Sequence, residues 1–237
     1  MRQKIWSLTQ SLRLYSICTL CNQFHNNKMA VCTSCIEFMP YLGPACQQCA
    51  YPLPDTHLQM CGRCIKKAPH FDCAYINYTF EEPLRSLLHQ FKYHEGLYLG
   101  SFLSHLMINS LPNFENLPQC LIPVPMHPQR IKLRGFNQAA VLVRLLARKL
   151  GLPYDVTSCQ KIRNTEPQAS LDGEQRQKNL RHAFKSKKLP WQHVAIIDDL
   201  LTTGSTANEL AFTLKKSGVK QVDIWCCART VGKLSTD

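Results

Sequence analysis

Four Cys-x-x-Cys pairs crowd one stretch of this 237-residue chain: Cys18/Cys21, Cys32/Cys35, Cys46/Cys49 and Cys61/Cys64, separated by 10, 10 and 11 residues. A Cys-x-x-Cys turn sets two sulfurs on one side of a tight knuckle, half of the tetrahedral thiolate cage that Zn²⁺ takes. One such pair would fit a redox motif as readily. Four in so short a span, behind a segment with no secretory pattern, point to two structural Zn²⁺ ions rather than disulfides. The stretch has too few large apolar side chains for a core of its own, so metal binding has to supply most of its folding free energy. Pairing the first knuckle with the second, and the third with the fourth, closes the shortest loops and gives two zinc ribbons over residues 18–66. Spacing alone also allows an interleaved pairing. The other five cysteines, Cys73, Cys120, Cys159, Cys226 and Cys227, lack ligand spacing and read as core thiols.

Ahead of the knuckles, Ile5, Leu8, Leu12 and Tyr15 fall at helical spacing, which predicts an amphipathic helix over residues 1–17. Polar residues interrupt it throughout, so it reads neither as a leader nor as an anchor, and no apolar run is long enough to span a bilayer. The expectation is a cytoplasmic protein without membrane insertion. Formal net charge is +12, and eight thiolates against the four charges of two Zn²⁺ would bring it to +8. Either value favours anionic partners.

Residues 72–232 form the second expected domain. A strand is predicted from Cys73 to Phe80, and a helix from Pro83 to about His94, with Leu84, Leu87, Leu88 and Phe91 as its buried stripe. A further helix follows over 97–110. The run Cys120-Leu121-Ile122-Pro123-Val124-Pro125 reads as a short strand ended by prolines. Asn137 to Leu150 is a helix stopped by Gly151 and Pro153. The closing segment is a βαβ unit: strand 193–198, helix 206–217, strand 221–228. Such alternation predicts a parallel α/β sheet.

The βαβ unit carries the chemistry. Its first strand is apolar from Val194 to Ile197 and then meets Asp198-Asp199, two adjacent carboxylates that repel and resist desolvation. A ligand offering hydroxyl donors or a metal would satisfy them, and the vicinal hydroxyls of a ribose are a natural partner. The turn that follows, Thr202-Thr203-Gly204-Ser205-Thr206, supplies hydroxyls and a flexible backbone and opens a helix whose N-terminus favours a phosphate. A phosphorylated ribose is the ligand such a segment would grip. No Gly-x-Gly and no Gly-Lys-Ser/Thr occurs, which excludes the dinucleotide and P-loop fingerprints.

Residues 196–206 resemble the phosphoribosyl-pyrophosphate loop of type I phosphoribosyltransferases. Other segments are similar to one branch of them, the ComF competence and amidophosphoribosyltransferase-like family: Ile122-Pro123-Val124-Pro125, Arg130 through Arg134-Gly135-Phe136-Asn137-Gln138, Arg163-Asn164-Thr165, and Val222-Asp223-Ile224-Trp225-Cys226, with the knuckles upstream. The resemblance covers nearly the whole chain after Ser16. It implies an α/β, type I phosphoribosyltransferase fold, a parallel sheet flanked by helices, preceded by a small Cys-rich double zinc ribbon.

It also implies roles. Asp198, Asp199, Thr202, Thr203, Gly204, Ser205 and Thr206 would bind phosphoribosyl pyrophosphate, and Val124-Pro125-Met126 would form the pyrophosphate loop beside Mg²⁺. Arg130, Lys132 and Arg134 are candidate pyrophosphate clamps, Arg134 fitting the pattern best, and Arg134 and Arg163 are the candidate catalytic residues. Residues 161–184 resemble a mobile lid. Lys92 lies in a further family-like stretch, with no role readable from sequence. The expected activity is pentosyl transfer, in a protein of natural competence and DNA utilisation that would meet single-stranded DNA and cytosolic competence or helicase proteins. A nucleotide-salvage transferase with no DNA role, or a DNA-binding accessory with a regulatory pocket, are the alternatives.

Overall fold

The computed structural model describes residues 16–113, 117–164 and 180–231, divided between a compact unit that ends at Met39 and a second that begins at Pro40. The division falls between the two ribbons. The third and fourth knuckles therefore share a unit with the α/β sheet.

In the first unit, β1 (Ser16–Ile17) and β2 (Phe24–His25) pair antiparallel around the first knuckle, and α1 (Thr33–Glu37) carries Cys35. Ser16 and Ile17 are thus extended rather than helical, and the rest of the helix expected over 1–17 lies outside the described residues. The backbone N–H of Asn22 donates to the Cys18 carbonyl at 2.9 Å, with Asn22 in the left-handed region (φ 57°). The second unit repeats this construction. Ala50 N–H donates to the Cys46 carbonyl at 2.7 Å, Ala50 has φ 52°, and α2 (Gly62–Lys66) carries Cys64. Both knuckles need a residue at positive φ directly after their second cysteine, a requirement Asn meets more cheaply than Ala.

The sheet is wholly parallel, in the order β3 (Cys73–Tyr75), β8 (Gln221–Arg229), β7 (His193–Leu201), β4 (Cys120–Pro123). Helices α3 (Leu84–Phe91), α4 (Gly100–Asn109), α5 (Pro128–Arg134), α6 (Gln138–Leu150) and α7 (Ser205–Lys216) complete the domain, with a 3₁₀ segment, His94–Leu99, between α3 and α4. Alternate strand residues serve opposite faces. Val194, Ile196, Val222 and Ile224 pack with Leu210, Ala211 and Leu214 of α7. On the other face Cys227 Sγ lies 3.9 Å from the Leu103 carbonyl of α4. A parallel sheet covered on both faces needs apolar side chains at nearly every position, and β8 is buried from Val222 to Arg229. The α/β class and parallel sheet read from sequence are those observed.

The stripe Leu84, Leu87, Leu88 and Phe91 is buried as its spacing predicts, each side chain contributing roughly 2 kcal/mol by removal from water. Two differences bear on the site. β7 runs on through both aspartates to Leu201, because β8 continues to pair with it, Leu200 opposite Ala228 and Leu201 opposite Arg229. And residues 128–134 form a helix, begun by Pro128 at its first turn and closed by Gly135 at φ 86°. Among the described residues no helix is long and apolar enough to cross a membrane.

Candidate functional site

The carboxyl ends of β4 and β7 and the first turn of α7 enclose a cavity of about 250 Å³. This is where an open parallel sheet leaves room for a ligand. Val124 continues from β4, its N–H donating to the Ile197 carbonyl at 2.9 Å. Asn137, the N-cap of α6, accepts from Ala139 N–H at 3.0 Å through Oδ1 and donates to the Val124 carbonyl at 3.0 Å through Nδ2. One side chain thus starts a helix and fixes the adjoining loop.

The acidic pair forms the floor. Asp199 N–H donates to Asp198 Oδ1 at 2.9 Å. Desolvation, and then the neighbouring Asp199 carboxylate, push the Asp198 carboxyl well above the usual carboxylate range. Asp199 is 4% exposed. Its Oδ1 accepts a long hydrogen bond from Gln138 Nε2 (3.5 Å), while Gln138 Oε1 accepts from Arg134 Nη1 (2.9 Å). Its Oδ2 is buried with no hydrogen bond, and Lys92 Nζ stands 3.4 Å away as a Coulombic neighbour. A buried carboxylate oxygen that has a cation nearby but accepts no hydrogen bond keeps acceptor capacity for a ligand donor.

Cations line the opposite wall. Arg130 and Arg134, four residues apart on α5, share the helix face that looks into the cavity, while Lys132 falls outside it. Lys161, at the end of β5 (Cys159–Lys161), is a further cation. Burial, and then repulsion from Arg130, bring its ammonium down to about 8 against the opposing pull of Asp198.

At the far end the turn after β7 is made by Gly204 at φ 80°, a conformation other residues adopt only under strain. Thr203 Oγ1 and Ser205 Oγ are 2.9 Å apart.

The structure therefore gathers Asp198, Asp199, Thr202, Gly204, Thr206, Val124, Pro125 and Arg134 around one cavity. Thr203 and Ser205 line a second cavity, about 440 Å³, on the other side of the same turn. Arg163 is in neither: exposed, it donates to the Arg181 carbonyl at 2.9 Å. Most of the expected lid, residues 165–179, lies outside the described residues; its ends form an antiparallel pair, β5 with β6 (Phe184–Ser186). Sequence reasoning missed Gln138 and gave Lys92 and Lys161 no place in the pocket. Only the tertiary fold shows that these three meet at the acidic pair.

The thiols form two groups, Cys18/Cys21/Cys32/Cys35 and Cys46/Cys49/Cys61/Cys64, with the sulfurs in each within 4.8 Å of one another. The sequential pairing is the one formed. Burial would raise the Cys18 thiol, but N–H groups of Cys21, Cys32 and Leu20 bring it to about 6; in the same way those of Cys61, Cys49 and Gln48 bring Cys46 to about 7. Burial pushes Cys35, Cys49 and Cys64 the other way, so ionisation of all four thiols in each set depends on the metal. The donor sets fit two structural Zn²⁺ ions.

Comparison with known proteins agrees. The double zinc ribbon domain family matches residues 14–65. The chain is 32% identical over 217 residues to competence protein F of Haemophilus influenzae, covering 86% of this chain and 93% of that protein. It is 32% identical over 228 residues to the DNA utilization protein YhgH of Escherichia coli K12, covering 93% and 100%. A solved glutamine phosphoribosylpyrophosphate amidotransferase of B. subtilis, complexed with ADP and GMP, overlays 58% of this chain and 30% of its own. The TM-score is 0.38 at 13% identity.

Proposed function

The chain belongs to the competence protein F family, and from that premise we propose that it is a cytoplasmic protein of DNA uptake and utilisation whose α/β domain binds phosphoribosyl pyrophosphate with Mg²⁺. The observation that carries the ligand is the buried Asp199 Oδ2, which has Lys92 Nζ at 3.4 Å yet accepts no hydrogen bond, beside the desolvated Asp198 carboxyl, with the turn of Gly204 and the start of α7 at the other end of one cavity. A ribose diol supplies two hydroxyl donors to the acids, and a 5′-phosphate suits a helix start. Arg130, Arg134 and Lys161 offer positive charge for a pyrophosphate. The cavity's mixture of carboxylates and cations fits a polyanion bound together with a divalent cation, and Asp198 and Asp199 are the groups that would face Mg²⁺. When bound, the ion would neutralise charge developing on the leaving pyrophosphate.

For an acceptor held above the sugar, its lone pair forms the new bond at the anomeric carbon as the bond to pyrophosphate breaks. The oxocarbenium-like sugar requires positioning and charge stabilisation more than a proton-transfer residue. Arg134 is the positioned cation for that step, held at 2.9 Å by Gln138 Oε1. Single-stranded DNA is the macromolecular partner this reading assigns, to the exposed basic residues on and beyond β6. The test is calorimetric titration with phosphoribosyl pyrophosphate and Mg²⁺, followed by a pyrophosphate-release assay across candidate acceptors. Micromolar binding supports the reading, and no heat at millimolar ligand overturns it.

A further inference from the structure

β8 ends in Arg229, a guanidinium 5% exposed in the interior of the second unit. Its Nε donates to the Cys49 carbonyl at 3.1 Å. Its Nη1 reaches the carbonyls of Leu201 (3.1 Å), Thr230 (3.0 Å) and Thr202. The guanidinium also lies 5.8 Å from the centre of the Tyr51 ring, within cation–π range. Cys49 belongs to the second thiol set, and Leu201 and Thr202 lead into the turn that lines the cavity. One side chain thus touches the backbone of a metal knuckle and the backbone of the loop assigned to phosphate.

A peptide group is planar and trans, so its C=O and N–H point in opposite directions. The Leu201 carbonyl also accepts from Thr230 N–H at 3.0 Å, and Arg229, reaching both it and the Thr202 carbonyl, completes a set of contacts that directs the N–H groups of Thr202 and Thr203 away from the guanidinium. Those N–H groups belong to the turn that would meet a 5′-phosphate. The knuckle in turn holds Arg229. Cys46 N–H donates to the Tyr51 carbonyl at 2.8 Å and Ala50 N–H to the Cys46 carbonyl at 2.7 Å, which keeps the Cys49 carbonyl and the Tyr51 ring in place. Four thiols gathered on Zn²⁺ fix that knuckle.

We propose that Arg229 is a positioning residue that makes the second zinc site part of the phosphate-binding apparatus, setting the direction of the loop N–H groups through the Leu201 and Thr202 carbonyls. The two zinc sites, alike in construction, then differ in consequence: the second tunes the ligand, the first does not. The inference rests on the cavity's reading as a phosphosugar site. Lysine cannot replace Arg229, because one ammonium cannot bridge the Cys49 carbonyl on one side and the loop carbonyls on the other.

The test uses the full chain loaded with zinc and two probes, ribose 5-phosphate for the loop and pyrophosphate with Mg²⁺ for the opposite wall. If the unaltered chain binds neither, the reading of the cavity fails. If it binds both, Arg229→Lys is expected to lower ribose 5-phosphate affinity at least tenfold and pyrophosphate affinity less than threefold. Cys61→Ser/Cys64→Ser is expected to lower ribose 5-phosphate affinity at least fivefold more than Cys32→Ser/Cys35→Ser. Should a variant misfold, reversible zinc withdrawal from the unaltered chain takes its place, with zinc content and far-UV dichroism followed together. Hydrogen exchange reads the coupling without any ligand: the Thr202 and Thr203 amides should exchange faster in Arg229→Lys and after loss of the second zinc. Unchanged exchange there, or equal losses for both probes, overturns the proposal.

Discussion

Lys92 Nζ lies 3.4 Å from Asp199 Oδ2, pairing a cation one-quarter exposed with a carboxylate that is 6% exposed and makes no hydrogen bond through that oxygen. The pair joins the end of α3 to the end of β7, segments more than a hundred residues apart. Removing one partner of such a pair leaves the other charge desolvated. Lys92→Met is therefore expected to destabilise the ligand-free protein by about 1–3 kcal/mol, less than a fully buried pair because Lys92 reaches solvent. Adding Asp199→Asn should recover most of that loss. Urea unfolding of the double-mutant cycle measures the coupling, and simple additivity would show that the two do not interact.

The Asp198 carboxyl, raised by burial and by Asp199, gives the free protein a distinctive pH response. A folded-state pKa above the unfolded one means the folded form holds its proton more tightly. That stability is full below the ordinary carboxylate pKa of about 3.9 and is lost as pH rises through the folded value. Asp198→Asn should abolish this decline, as followed by thermal unfolding from pH 4 upward. A decline that persists in the variant assigns it to another group.

Ligand binding should show two limits. A diol donates to an ionised carboxylate, so affinity should weaken as falling pH protonates Asp198. A pyrophosphate favours the charged ammonium of Lys161, so affinity should weaken again above about pH 8, where that side chain loses its proton. Lys161→Met should remove the alkaline limit only. Titrations in two buffers of different ionisation heat near pH 8 should also register proton uptake on binding. Asp198→Asn/Asp199→Asn should cost about 1–3 kcal/mol of binding, the range for charge-assisted hydrogen bonds, and full affinity in the folded variant would refute the diol contact.

The backbone pairing of β7 with β8 was legible from sequence because apolar runs bounded by turn signals have few other solutions. Loop lengths favoured the sequential knuckle pairing but left an interleaved one open, and the grouping of the sulfurs decides it. What could not be read was where distant segments meet. Gln138 looked like the second residue of a capped helix, and only the packing of α6 against β7 brings its amide to Asp199. The helix of residues 128–134 was hidden because Arg130, Lys132 and Arg134 alternate through it and leave only Ile131 and Leu133, two residues apart, to mark an apolar face. Its periodicity turns Arg130 and Arg134 inward and Lys132 outward. Arg163, a catalytic candidate by its place in a family-like segment, stands outside the cavity and donates through Nη1 to the Arg181 carbonyl, a placement no local sequence signal shows.

Lys185, Lys187 and Lys188 are exposed on and beyond β6. If single-stranded DNA binds there, reversal of all three to Glu should weaken it more than deletion of residues 1–39. Affinity should fall by roughly 0.7 log unit per log unit of salt for each phosphate neutralised. Electrophoretic mobility shifts across a salt series test this, and binding indifferent to the reversal would move the DNA surface elsewhere.

Asp198 and Asp199 lie within β7 rather than beyond its end, and Asp198 pairs in register with Cys226. The acids are consequently part of the framework: to move them is to shear two central strands. Residues 202–204 are all that separate β7 from the helix that follows. Lineages of this fold therefore have little freedom to reshape the sugar end of the cavity without rebuilding the sheet. Diversification of what the sugar is joined to has to come from the walls that other segments contribute, where insertions leave strand register untouched.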